Sequence, residues 1–107
     1  DRSSYQLSVA DKKKAINSSI NNAAQGANYL MVKPGMTSID LIGDIKKETL
    51  LPTGAFQVSG EFASLQMLSK ANFGNYIDLL RESLVVFKRA QSDFIITYGA
   101  RDIAKYL

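Results

Sequence analysis

Three polar residues each follow an apolar run in this 107-residue chain. Lys33 follows Tyr29-Leu30-Met31-Val32, Ser59 follows Gly54-Ala55-Phe56-Gln57-Val58, and Tyr98 closes Phe94-Ile95-Ile96-Thr97. Each run reads as a short strand, and in parallel α/β folds reactive groups gather at the C-terminal strand ends. Lys33 is pressed between its strand and Pro34. Partial desolvation there disfavours an ammonium. A neutral amine can attack a ketone and form a protonated imine, an electron sink for carbon–carbon or carbon–nitrogen bond formation. The alternative is a strand-end lysine that snorkels to solvent or pairs with a carboxylate. Ser59, in Gln57-Val58-Ser59-Gly60-Glu61, could cap a helix or bind a substrate carboxylate beside free backbone N–H groups. Tyr98 could donate to that carboxylate, or simply be an amphipathic tyrosine at a strand end. Arg2 and Gln6 lie in a polar N-terminal segment that by itself reads as a solvated loop.

The elements that must position these groups follow from periodicity. Ala15, Ile16, Ile20, Ala23 and Ala24 form a helical stripe, ended by Gly26 where a left-handed cap residue would sit. A residue before proline is biased to extended geometry, so the first strand ends at Lys33. Thr37 and Asp40 have capping-box spacing, with Ile39, Leu41, Ile42 and Ile45 following at helical intervals. Pro52 stops that helix. The strand at Gly54–Val58 is the weaker candidate, being short and holding a glycine. A helix from about Glu61 to Lys70 carries Phe62, Leu65 and Leu68 on one side. After the loop Asn72-Phe73-Gly74, a helix over about Asn75 to Ala90 buries Ile77, Leu80, Leu84 and Phe87. The strand Phe94–Tyr98 and a short helix over Arg101 to Leu107 complete the order.

Strands alternating with helices imply parallel pairing with right-handed crossovers. A (β/α)8 TIM barrel uses ~250 residues, about 31 per βα unit, so this chain supplies about three units. Three strands cannot close a barrel. The chain also does not begin with Met, and the expectation is an α/β segment, 1–107, cut from something longer.

Composition narrows the chemistry. With 46% hydrophobic and 21% charged residues, the chain has material for one core. Cysteine and histidine are absent, which excludes thiol nucleophiles, disulfides, Cys/His zinc sites and a Ser-His-Asp triad within it. No run approaches the ~20 apolar residues of a membrane span, and the start is not a signal peptide. The net charge of +3 sits largely in Lys12-Lys13-Lys14. That run reads as a solvated helix face, with no interleaved aromatic residue for stacking on bases. Neither nucleic acid nor membrane is expected as a partner.

The motifs Asp1-Arg2-Ser3-Ser4-Tyr5-Gln6, Met31-Val32-Lys33-Pro34-Gly35-Met36, Gln57-Val58-Ser59-Gly60-Glu61-Phe62, Phe87-Lys88-Arg89-Ala90 and Ile95-Ile96-Thr97-Tyr98 occur in that order. Together they resemble the delta-aminolevulinic acid dehydratase family over essentially the whole chain, at a position matching its last third. The resemblance implies a TIM-barrel lyase of tetrapyrrole (heme) biosynthesis that condenses two molecules of 5-aminolevulinate to porphobilinogen. It implies that Lys33 forms the Schiff base, that Ser59 and Tyr98 hold that substrate's carboxylate, and that Arg2 and Gln6 reach the other carboxylate from a lid. It further implies a homo-oligomer, an octamer, in the cytoplasm, or in a plastid or another organelle. The family uses zinc, magnesium or both. The segment that binds the catalytic metal, the second active-site lysine and an upstream lid arginine correspond to sequence ahead of Asp1, so no metal ligand is expected within the chain. Magnesium-stimulated members carry a glutamate at the position of Ser18, and serine is a poor ligand for a hard cation. Asn17, Ser18, Asn21 and Asn22 stand where many members carry charges. Two other readings remain: a non-catalytic binding or assembly module, and a different Schiff-base barrel such as an aldolase. Gly99-Ala100-Arg101 is a thin signal for the phosphate loop the latter needs.

Overall fold

The structure, a computed structural model, describes residues 11–106. Its order is α1 (Lys12–Ala24), β1 (Leu30–Val32), α2 (Ile39–Thr49), β2 (Thr53–Gln57), α3 (Ser59–Lys70), α4 (Tyr76–Arg89), β3 (Ile95–Thr97) and α5 (Ala100–Ala104). The strands form one parallel sheet in the order β1-β2-β3. Val32 pairs with Ala55, and Ala55 with Ile95. The expected parallel α/β segment is therefore present. No helix among the described residues is long and apolar enough to cross a membrane.

Local chemistry sets the element ends. The Asp11 carboxylate accepts from the Lys14 N–H (3.0 Å) and caps α1. Gly26 follows at φ 98°, the left-handed geometry expected of it. Asn75 caps α4, accepting from the N–H groups of Ile77 and Asp78. The Thr37/Asp40 capping box does not form. A 3-10 turn over Met36–Ser38 moves the start of α2 to Ile39, and Ser38 occupies the cap with no side-chain bond. Asp40 instead faces Lys12 across the α1–α2 contact at 3.8 Å, while Asp44 takes the close pairing at 2.8 Å. The lysine run is thus not wholly a solvated face. The end of α2 also differs from expectation. Leu50 turns left-handed (φ 57°) and stops the helix before Pro52 is reached. The last helix ends at Ala104, shorter than the pattern suggested.

Alternation along the strands divides the sheet into two unlike faces. Leu30, Val32 and Ala55 pack with Ile42 and Ile45 of α2 and Phe87 of α4 to form the core. Each large apolar side chain so buried contributes about 1.5–3 kcal/mol. On the other face Met31, Ile96 and Tyr98 are exposed. Glycine at position 54, which weakened the strand pattern, has a steric reason. A methyl there would overlap the Phe94 ring, which stands edge-on to Tyr29 at 5.6 Å.

The N-terminal edge of β2 is held by Asp93. Its carboxylate accepts from the Thr53 N–H (2.8 Å) and from Lys46 Nζ (3.1 Å), and Lys46 also donates to the Gln91 carbonyl. The Thr53 N–H, and after it Lys46, holds the Asp93 carboxyl below its ordinary value of 3.8. A depressed carboxyl stabilises the fold above its unfolded value, and that contribution fades as pH falls through the lower native one. Asp93→Asn should therefore flatten the loss of stability between about pH 5 and about pH 2, read from urea midpoints. An unchanged acid slope would contradict this role.

Candidate active site

The three singled-out residues stand at the C-terminal ends of the three strands. Lys33 directly follows β1, Ser59 opens α3 two residues beyond β2, and Tyr98 directly follows β3. Parallel pairing puts these ends on one edge. By alternation, Lys33 continues the row of Met31, and Tyr98 continues the row of Ile96, on the open face. One step beyond the Val32–Ala55 pair brings Lys33 alongside Phe56. The Phe56 ring in turn lies 6.1 Å from that of Tyr98. Lys33 and Tyr98 therefore flank one aromatic residue.

Backbone and side-chain bonds tie the three ends together. Past Lys33, the Gly35 N–H donates to the Phe56 carbonyl (2.8 Å), and the Met36 N–H donates to Glu61 Oε1 (2.9 Å). The loop carrying Lys33 is thereby fastened to β2 and to the first turn of α3, where Ser59 lies. Phe62 of α3 packs 6.1 Å from the Tyr98 ring and, edge-on, 6.1 Å from Tyr76. The Tyr76 hydroxyl donates to the Asp102 carboxylate (2.7 Å). Burial, reinforced by that bond, pushes the Tyr76 phenol up to about 12.

Two expectations are corrected. Lys33 is exposed, not partly desolvated, because its strand is covered by helices only on the opposite face. Ser59 is not the helix cap. Val58, in extended geometry, takes that place and leaves Ser59 at the first helical position. Its hydroxyl is exposed beside the start of a twelve-residue helix, where unpaired backbone N–H groups favour an anion. Arg2 and Gln6 lie outside the described residues. Among the described residues, no three His, Cys, Asp or Glu side chains come close enough to hold a metal ion.

Other residues of the site are not singled out by the pattern. Glu61 fixes the Lys33 loop, and its second carboxylate oxygen is buried with no partner among the described residues. Gly35 is required by close approach. Gln57, Ser83 and Thr97 form a hydrogen-bonded chain behind the rim. The only hint in the sequence is a polar residue within each otherwise apolar stretch. A hollow of about 580 Å³ lies elsewhere, between α1 and the N-terminal end of β1, lined by Ser19, Asn22, Gln25 and Tyr29 among others. It has no connection with the rim.

A methyl at Gly35 would sit 2.8 Å from two carbons of the buried Phe87 ring and 2.9 Å from the Phe56 oxygen. Its φ of −61° suits any residue, so only packing opposes alanine. Overpacking costs about 1–3 kcal/mol, more than the ~0.4–1 kcal/mol gained from a less flexible unfolded chain. Gly35→Ala should lower the urea midpoint at unchanged slope; a gain in stability would refute the packing argument.

Comparison with known proteins gives the family that the chain is similar to. The family model described as delta-aminolevulinic acid dehydratase matches residues 1–106. The delta-aminolevulinic acid dehydratase of Helicobacter pylori is 43% identical over 107 residues, covering 100% of this chain and 33% of the relative. That of Escherichia coli is 40% identical over 105 residues, covering 98% and 32%. The crystal structure of the Toxoplasma gondii enzyme in complex with its reaction product porphobilinogen superposes with a TM-score of 0.95 at 34% identity, covering 100% of this chain and 30% of that one. The chain spans about a third of the length of the curated relatives it matches.

Proposed function

The chain belongs to the delta-aminolevulinic acid dehydratase family, and from that premise we propose that it supplies the imine-forming half of a porphobilinogen synthase. In this reading its three strands are the last three of an eight-stranded TIM barrel, and the open face of the sheet lines the barrel. The remaining strands and further copies of the subunit complete the active enzyme. The observation that carries the reading is the shared rim: Lys33, Ser59 and Tyr98 each end one of three adjacent parallel strands.

The chemistry follows from the groups. The Lys33 amine attacks the ketone carbon of 5-aminolevulinate, a carbon–nitrogen bond forms, and the carbonyl oxygen leaves as water. The resulting iminium draws electrons from the adjacent carbon, whose proton then leaves more easily. Ser59 and Tyr98 donate hydroxyl hydrogen bonds to the substrate carboxylate. The helix start at Ser59 adds backbone N–H groups to the same anion. Holding the acid end fixes the ketone over the amine, and orientation of this kind can lower a barrier by several kcal/mol, up to about 7–11 kcal/mol in ideal cases. Arg2 and Gln6 serve the second substrate's carboxylate. Closing the barrel over the exposed Lys33 keeps bulk water from the imine once it has formed. Any metal the complete enzyme uses, zinc or magnesium, would be held by sequence outside this segment.

Borohydride reduction in the presence of 5-aminolevulinate should leave one stable adduct, mapped by peptide mass spectrometry to Lys33. Lys33→Ala should abolish it without loss of the folded far-UV signal. A folded chain that yields no adduct, or an adduct on another lysine, overturns the assignment and favours a binding module.

A further inference from the structure

Behind the rim, on the helix side of the sheet, runs a hydrogen-bonded chain whose proton directions are fixed. The Ser83 hydroxyl donates its one proton to the Leu80 carbonyl (2.7 Å), so it must accept from Gln57 Nε2 (2.8 Å). That turns Gln57 Oε1 toward β3, where it accepts from the Thr97 hydroxyl (2.7 Å). With its proton committed, Thr97 Oγ1 presents lone pairs to the Gly99 N–H (3.1 Å). Gln57 is 2% exposed and Ser83 8%, so the bond between them is not readily replaced by water, while the two Thr97 bonds are part-buried. The Gly99 bond spans Tyr98, clamping the backbone on both sides of it. Gly99 is itself boxed in, since a methyl there would lie 2.6 Å from Leu80 Cδ2 and 2.9 Å from Phe62 Cε1.

We propose that Gln57 and Thr97 are positioning residues that set the separation of Tyr98 from Ser59 and so tune recognition of the substrate's carboxylate. This rests on the porphobilinogen synthase reading of the same site. Gln57 lies two residues before Ser59 on β2, and Thr97 one residue before Tyr98 on β3. The Gln57–Thr97 bond is thus a strut between the two carboxylate-holding ends. Lys33 is not part of it, so the imine step itself is spared.

The test measures borohydride trapping on the full chain with two ketones, 5-aminolevulinate and 1-aminobutan-2-one, which lacks the carboxylate. Wild type should need less of the acid for half-maximal trapping. Thr97→Val, close in shape but without the hydroxyl, should raise the half-saturating concentration of the acid roughly threefold to tenfold, the worth of one well-placed hydrogen bond, and leave that of the plain ketone unchanged. Thr97→Ser should restore the preference. Asp93→Asn, at the opposite end of the sheet, controls for lost stability and should keep it. A Thr97→Val protein that retains the full preference for the acid overturns the proposal, as does an Asp93→Asn protein that loses it equally. A wild type that traps both ketones equally overturns the carboxylate roles of Ser59 and Tyr98, and the strut with them. A wild type that traps neither overturns the Lys33 reading and leaves nothing to position.

Discussion

Parallel pairing of β2 on both its edges is the constraint on which the rest depends. It points three chain ends in one direction, and each crossover helix must then return along the same side of the sheet. One face is therefore roofed by α2 and α4, while the other has no cover among the described residues. Burial of Leu30, Val32, Ala55 and Ile95 toward the roofed side commits the alternate positions of the pleat, Met31 and Ile96, to the other. The placement of Lys33 and Tyr98 is a by-product of where the core lies.

Within that frame the rim is fixed from two directions. The Lys33 loop is drawn in by the Phe56 carbonyl and by Glu61. The Tyr98 turn is drawn in from behind by Gln57 through Thr97. The rings of Phe56, Phe62 and Tyr98 fill the space between. Polar bonds thus supply direction and aromatic contact supplies spacing, a division that suits a site with two reactive ends to align.

Much of this is legible in the amino-acid order, for reasons that can be named. Apolar runs of four or five residues ending in Lys33, Ser59 and Tyr98 mark the strands because burial of both backbone and side chain leaves few other options. Gly26 marks a helix end because its φ excludes most residues. Long-range partnership is not legible. Asp40 has capping spacing, yet Lys12 is close enough to compete for it. Pro52 looks like the helix stop, yet Leu50 adopts the left-handed turn first. The desolvation expected at Lys33 needs a second layer that no local pattern supplies. Gln57 reads as a flaw in an apolar strand until Ser83 and Thr97, 26 and 40 residues away, are seen to complete it.

The fit of Phe94 into the space left by Gly54 carries an implication for inheritance. Position 54 cannot change first, because any side chain there collides with the ring, whereas a smaller residue at 94 makes the room. A lineage can pass from this pair to another only by shrinking the ring first and enlarging the glycine afterwards. The two sites should accordingly drift in a fixed order, although they stand 40 positions apart in the chain.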